Sequence, residues 1–92
     1  MAHYIIRFFE KHNKIERGFF TIDSDKSEIQ NIDDEKEVKM VIEKSFAFAG
    51  QALKYGVKQL TFTVENYENK GMWNGEGVVV EEKLKITSLT KT

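Results

Sequence analysis

Apolar and polar positions alternate from the start of the chain. Over residues 3–10, Tyr4, Ile6 and Phe8 fall on one side of an extended backbone and Ile5, Arg7 and Phe9 on the other, the period-two pattern of a strand. His12 to Lys14 is a polar turn, and residues 15–23 alternate again, with Phe20 and Ile22 on one face and Phe19 and Thr21 on the other. So short a connection joins antiparallel neighbours. Residues 24–32 read as a polar loop.

The period then changes to 3.6. Residues 33–55 predict one long amphipathic helix, on which Val38, Val41, Ile42, Ser45, Phe46, Phe48, Ala49, Ala52 and Leu53 share one half of the cylinder. Asp33, Asp34, Glu35 and Glu37 crowd the first turns, where the positive end of the helix dipole favours anions. Asp34 and Glu37 are spaced as a capping box, and Gly56 is the expected stop.

Two more strands are expected. Residues 57–67 place Leu60, Phe62 and Val64 inward, with Gln59, Thr61, Thr63 and Glu65 outward. Residues 77–87 read as one strand with Val78, Val80, Leu84 and Ile86 inward and Val79, Glu81, Lys83 and Lys85 outward. Glu82 then falls on the inward side, which predicts a bulge or an edge there. The joining residues 68–76 carry turn signals at Asn69-Lys70-Gly71 and Asn74-Gly75.

The expected fold is therefore a single α+β domain over residues 1–92. Its order is ββαββ, with one long helix on one face of a four-stranded, mostly antiparallel sheet. Strands one and four would lie side by side in a β-grasp-like arrangement. One helix covers one face of a sheet, so the other face is left open.

Composition narrows the function classes. The 92 residues include no cysteine, which removes disulfides and thiol chemistry and points to a reducing compartment. No leader-like or membrane-spanning apolar run is present, so a cytoplasmic location is expected. The formal net charge of −1 is unlike that of a duplex-DNA binder, which is usually basic. Heavy use of Lys, Glu, Ile, Asn and Phe without proline fits an AT-rich genome such as that of a phage or mobile element.

Candidate chemistry is sparse. His3 and His12 are the only histidines, and no metal motif, phosphate loop or nucleophile–base pairing stands out. Oxygen-bearing residues at Asp23, Asp25, Ser27, Asn31 and Asp34 are spaced like a calcium loop, but Glu28 stands where glycine is needed and Asp34 where a bidentate glutamate is needed. Lys11, His12, Lys14 and Arg17 form the most basic local stretch, which a solvated turn explains. No cofactor, metal or enzymatic activity is expected.

The open sheet face is the main clue. By alternation it gathers Ile5, Arg7, Phe9, Phe19, Thr21, Thr61, Thr63 and Val79, with Glu65, Glu81 and Lys83 towards its rim. A contiguous apolar patch of this kind marks an interface. Met72 and Trp73 lie between Gly71 and Gly75 at a turn, and a tryptophan at a loop tip is a common binding anchor, although it can also fold back to cap the core. The expected function is a non-enzymatic protein-binding module, an inhibitor or adaptor that docks on another protein or on a second copy of itself. The alternative is a single-stranded nucleic-acid binder stacking bases on Phe9 and Phe19.

Overall fold

The computed structural model of the chain describes residues 3–23, 32–46, 58–66 and 71–92. Five strands and one helix occur in the order β1 (His3–Glu10), β2 (Glu16–Asp23), α1 (Glu35–Ser45), β3 (Gln59–Asn66), β4 (Gly71–Val80) and β5 (Lys83–Lys91). Every strand pair is antiparallel, and the spatial order is β2-β1-β3-β4-β5. The α+β class and the single covered face agree with the alternation patterns. The strand count and strand order do not.

The stretch 77–87 is a hairpin rather than one strand. Val80 pairs with Lys83 and Val79 with Leu84, so Glu81 and Glu82 form a two-residue turn. Their φ values of 52° and 65° lie in the left-handed region that such hairpin turns require and that Asn-Gly normally fills. Two glutamates carry no turn signal, and this is why the inward position predicted for Glu82 was spurious. Left-handed backbone costs an ordinary residue about 1–2 kcal/mol. Glu81→Asn with Glu82→Gly is therefore expected to stabilise the fold by roughly 1–2 kcal/mol, measured as a higher urea midpoint with an unchanged slope.

The β-grasp order is replaced by a meander. Strands β3, β4 and β5 follow one another outward, which carries the last strand to an edge. The free side of β1 is taken by β3, with Phe8 opposite Phe62 and Arg7 opposite Thr63. The centre of the sheet is thus β3.

The helix begins where the acidic cluster predicts. The Asp34 carboxylate accepts hydrogen bonds from the backbone N–H of Lys36 at 3.0 Å and of Glu37 at 3.4 Å, satisfying donors that a helix start leaves free. The helix buries Val38, Val41 and Ile42, and Phe46 follows at its C-cap, fully buried. The second half of the predicted helix, with Phe48, Ala49, Ala52, Leu53 and the stop at Gly56, lies outside the described residues. So do Ser24 to Asn31 of the calcium-like loop.

Below α1 the core is aromatic. The Phe8 ring meets Phe46 edge-on at 5.2 Å and lies 6.0 Å from Phe62 and 5.9 Å from Phe20. Ile6, Leu60, Val64, Trp73, Leu84 and Ile86 complete the layer. Glu43 reaches from the helix to accept a hydrogen bond from the Ile86 backbone N–H at 2.9 Å. That contact covers part of the outer β5 edge, where an unpaired amide would invite another strand.

Candidate binding face

The face away from the helix is built by strand alternation and can be read row by row from the pairing register. One row runs Thr21, Ile5, Glu65; the next runs Phe19, Arg7, Thr63, Asn74, Thr90; a third runs Glu16, Phe9, Thr61, Glu76, Ser88. The face thus has an aromatic and ionic end on β1 and β2, and a hydroxyl- and amide-rich end on β3, β4 and β5.

At the first end Phe19 is 60% exposed. Arg7, its cross-strand neighbour, places its guanidinium 5.9 Å from the centre of that ring, within reach of a cation–π contact. Arg7 is also held by two carboxylates, with Nη1 donating to Glu16 Oε1 at 3.0 Å and Nε to Glu65 Oε2 at 3.1 Å. The hydrogen bond to Glu16, with a smaller one to Glu65, outweighs the opposing effect of burial and pushes the guanidinium above its already high ordinary pKa. The group stays charged at every working pH, and its orientation is fixed before any partner arrives.

At the second end an open groove of about 520 Å³ runs between Phe9 and the outer strand, with Thr61, Thr63, Asn74, Ser88 and Thr90 along it. The β1–β2 turn leans over its margin. Lys11 Nζ lies 3.5 Å from Glu76 Oε2, and the His12 ring shares a hydrogen bond with the Gln59 side chain at 3.0 Å. Lys14, whose φ of 59° is left-handed, is thereby placed at the groove. The Thr63 hydroxyl is shielded from solvent and has no hydrogen-bond partner.

The predicted face residues divide into two groups. Ile5, Arg7, Phe9, Phe19, Thr61 and Thr63 occupy the outer face as alternation predicts, and Lys83 is exposed beside the β4–β5 turn. Trp73, Val79 and Met72 do not belong there. Trp73 is 4% exposed and its indole Nε1–H donates to the Ile32 carbonyl at 2.8 Å. It caps the core and cannot anchor a partner. Val79 packs half-buried against the core, because β4 presents Trp73, Gly75, Gly77 and Val79 to the helix side. Met72 sits at a register shift opposite Val64 and Glu65, and this bulge lets it pack on the core as well.

Sequence reasoning missed Asn74, Glu76, Ser88, Thr90 and Lys14 as face residues. The available signal was the alternation Trp73, Gly75, Gly77, whose missing side chains make room for large neighbours on one face only. Among the described residues no three His, Cys, Asp or Glu side chains gather as a metal site needs, and no helix is long and apolar enough to cross a membrane. No protein-family model, curated protein or solved structure matches the chain.

Proposed function

We propose that the protein is a non-enzymatic binding module of the cytosol that docks through the outer sheet face onto another copy of itself. It would act as a small inhibitor or adaptor by occlusion. The observation that carries this reading is the exposed Phe19 ring beside a guanidinium already fixed by Glu16 and Glu65. Covering a phenylalanine is worth roughly 1.5–3 kcal/mol, and an anchor ordered in advance loses little entropy on docking. Ile5 and Phe9, half-buried beside it, extend the apolar contact.

A nucleic-acid role fits the face less well. Stacking platforms for single strands need unpaired cations for the phosphates. Here Arg7 is flanked by two carboxylates and Lys11 lies beside Glu76, so the attraction for a polyanion is largely cancelled.

Sedimentation velocity over a concentration series tests the proposal. The native chain is expected to shift from monomer to dimer, and Phe19→Ser to weaken association at least about tenfold, or ~1.4 kcal/mol. Because the ring is exposed, unfolding stability should change by no more than about 0.5 kcal/mol. A native chain that stays monomeric up to about millimolar concentration, which excludes even weak pairing, would rule out docking between copies.

A further inference from the structure

We infer that the groove on β3, β4 and β5 is a binding site for a neutral saccharide. The argument begins with what the groove can offer. Strands β3 and β4 have neighbours on both sides, so their backbone groups are spent in the sheet and only side chains remain to make contacts. Those side chains are hydroxyls and an amide: Thr61, Thr63, Asn74, Ser88 and Thr90. None makes a side-chain hydrogen bond among the described residues, and the shielded Thr63 hydroxyl lacks even a solvent partner. That hydroxyl is closed to a ligand as it is to water, so Thr61, Asn74, Ser88 and Thr90 are the polar groups a ligand meets.

Charge then selects the ligand class. Among the described residues the groove's one carboxylate, Glu76, is tied to Lys11, and its one further cation is Lys14. Lys14 is exposed at the margin, where one cation gives no field for a polyanion, and the hydroxyl and amide lining itself is uncharged, which suits a neutral ligand. In each row the β3 and β5 hydroxyls flank a β4 side chain, Asn74 or Glu76, and so stand two strand spacings or roughly 9.6 Å apart, a span that a sugar ring lying across β4 bridges with a hydroxyl at either edge. The Phe9 ring at one end supplies an apolar surface for the C–H face of a pyranose, as aromatic rings commonly do for flat ligands. The volume of about 520 Å³ lies inside the range of small-ligand sites, roughly 300–1,000 Å³. The groove is open along its length, so an oligosaccharide held with a dissociation constant in the millimolar range is expected.

The site shares only Phe9 with the docking surface proposed above, and the test keeps the two apart. Amide chemical shifts would be followed by heteronuclear NMR while maltotriose, cellotriose or chitotriose is added to about 20 mM, enough to saturate a millimolar site. The titration is run on the native chain and on Phe19→Ser. At least one sugar should move the Thr61, Asn74 and Ser88 amides in both proteins. Asn74→Leu should weaken binding about tenfold or more. Thr61→Val, an isosteric change on a strand, should weaken it without altering the fold. The inference is overturned if none of the three sugars shifts these amides in either protein, or if both groove variants bind as the native chain does. Loss of self-association alone in Phe19→Ser bears only on the docking proposal.

Discussion

Trp73→Ala is expected to destabilise the protein by about 3–5 kcal/mol, the usual cost of deleting a buried aromatic ring. For a 92-residue domain the whole folding free energy is roughly 5–14 kcal/mol, so this one change removes at least about a fifth of it. The cause is twofold. The indole is 4% exposed among the core side chains, and its removal leaves a cavity the aromatic layer cannot close. The Ile32 carbonyl, which accepts the Nε1–H at 2.8 Å, also loses its partner just before α1 begins. Trp73→Phe keeps most of the ring but not the donor, and should cost about 1–2 kcal/mol. Urea unfolding followed by circular dichroism measures both, since the change deletes the only tryptophan. If Trp73 were an exposed anchor, Trp73→Ala would shift the midpoint by less than about 0.5 kcal/mol and abolish docking instead.

Trp73, for which the sequence left both a binding anchor and a core cap open, shows where sequence stops being informative. Strands β1, β2 and β3 were legible because apolar alternation is unbroken on the core side, as in Tyr4, Ile6 and Phe8, while polar residues such as Arg7, Thr21, Thr61 and Thr63 break the other side. Phe8 and Phe20 went to the core and Phe19 to the outer face accordingly. The helix start was legible because Asp34 and the acidic first turn satisfy orphan N–H groups. Within residues 71–91, Leu84 and Ile86 went to the core as expected, but the β4 half and the turn were misread for two physical reasons. Val78, Val79 and Val80 are equally apolar, so the run has no phase of its own, and the phase is set instead by which glycines must face the helix. The turn at Glu81 and Glu82 is paid for by the β4–β5 ladder rather than by local preference, so no residue type announces it. Once β4 is taken to start at Gly71, one correction moves Val79 inward and brings Asn74 and Glu76 onto the outer face. The groove was invisible for the same reason, since its lining comes from three strands whose register only the folded sheet fixes.

Gly75 carries the second large effect. It sits directly opposite Phe62 in the β3–β4 ladder, and a Cβ there would stand 2.1 Å from the Phe62 Cζ and 2.5–2.6 Å from both Cε atoms. The ring cannot step aside cheaply. It is 1% exposed and backs onto Phe8, which is itself pressed by Phe46. Gly75→Ala is therefore expected to cost about 2–3 kcal/mol through overpacking, although alanine suits a strand better than glycine does. Phe62→Leu alone should cost about 1.5 kcal/mol. The two changes share one volume, so together they should cost about 1–2 kcal/mol less than their sum. The double-mutant cycle reads this coupling from urea midpoints, and strict additivity would mean that the ring does not rest on Gly75. The added methyl points towards the helix, away from Thr61 and Asn74. The folded fraction of Gly75→Ala should accordingly self-associate and bind sugar as the native chain does. This separates the residue that lets the core close from the residues that face outward.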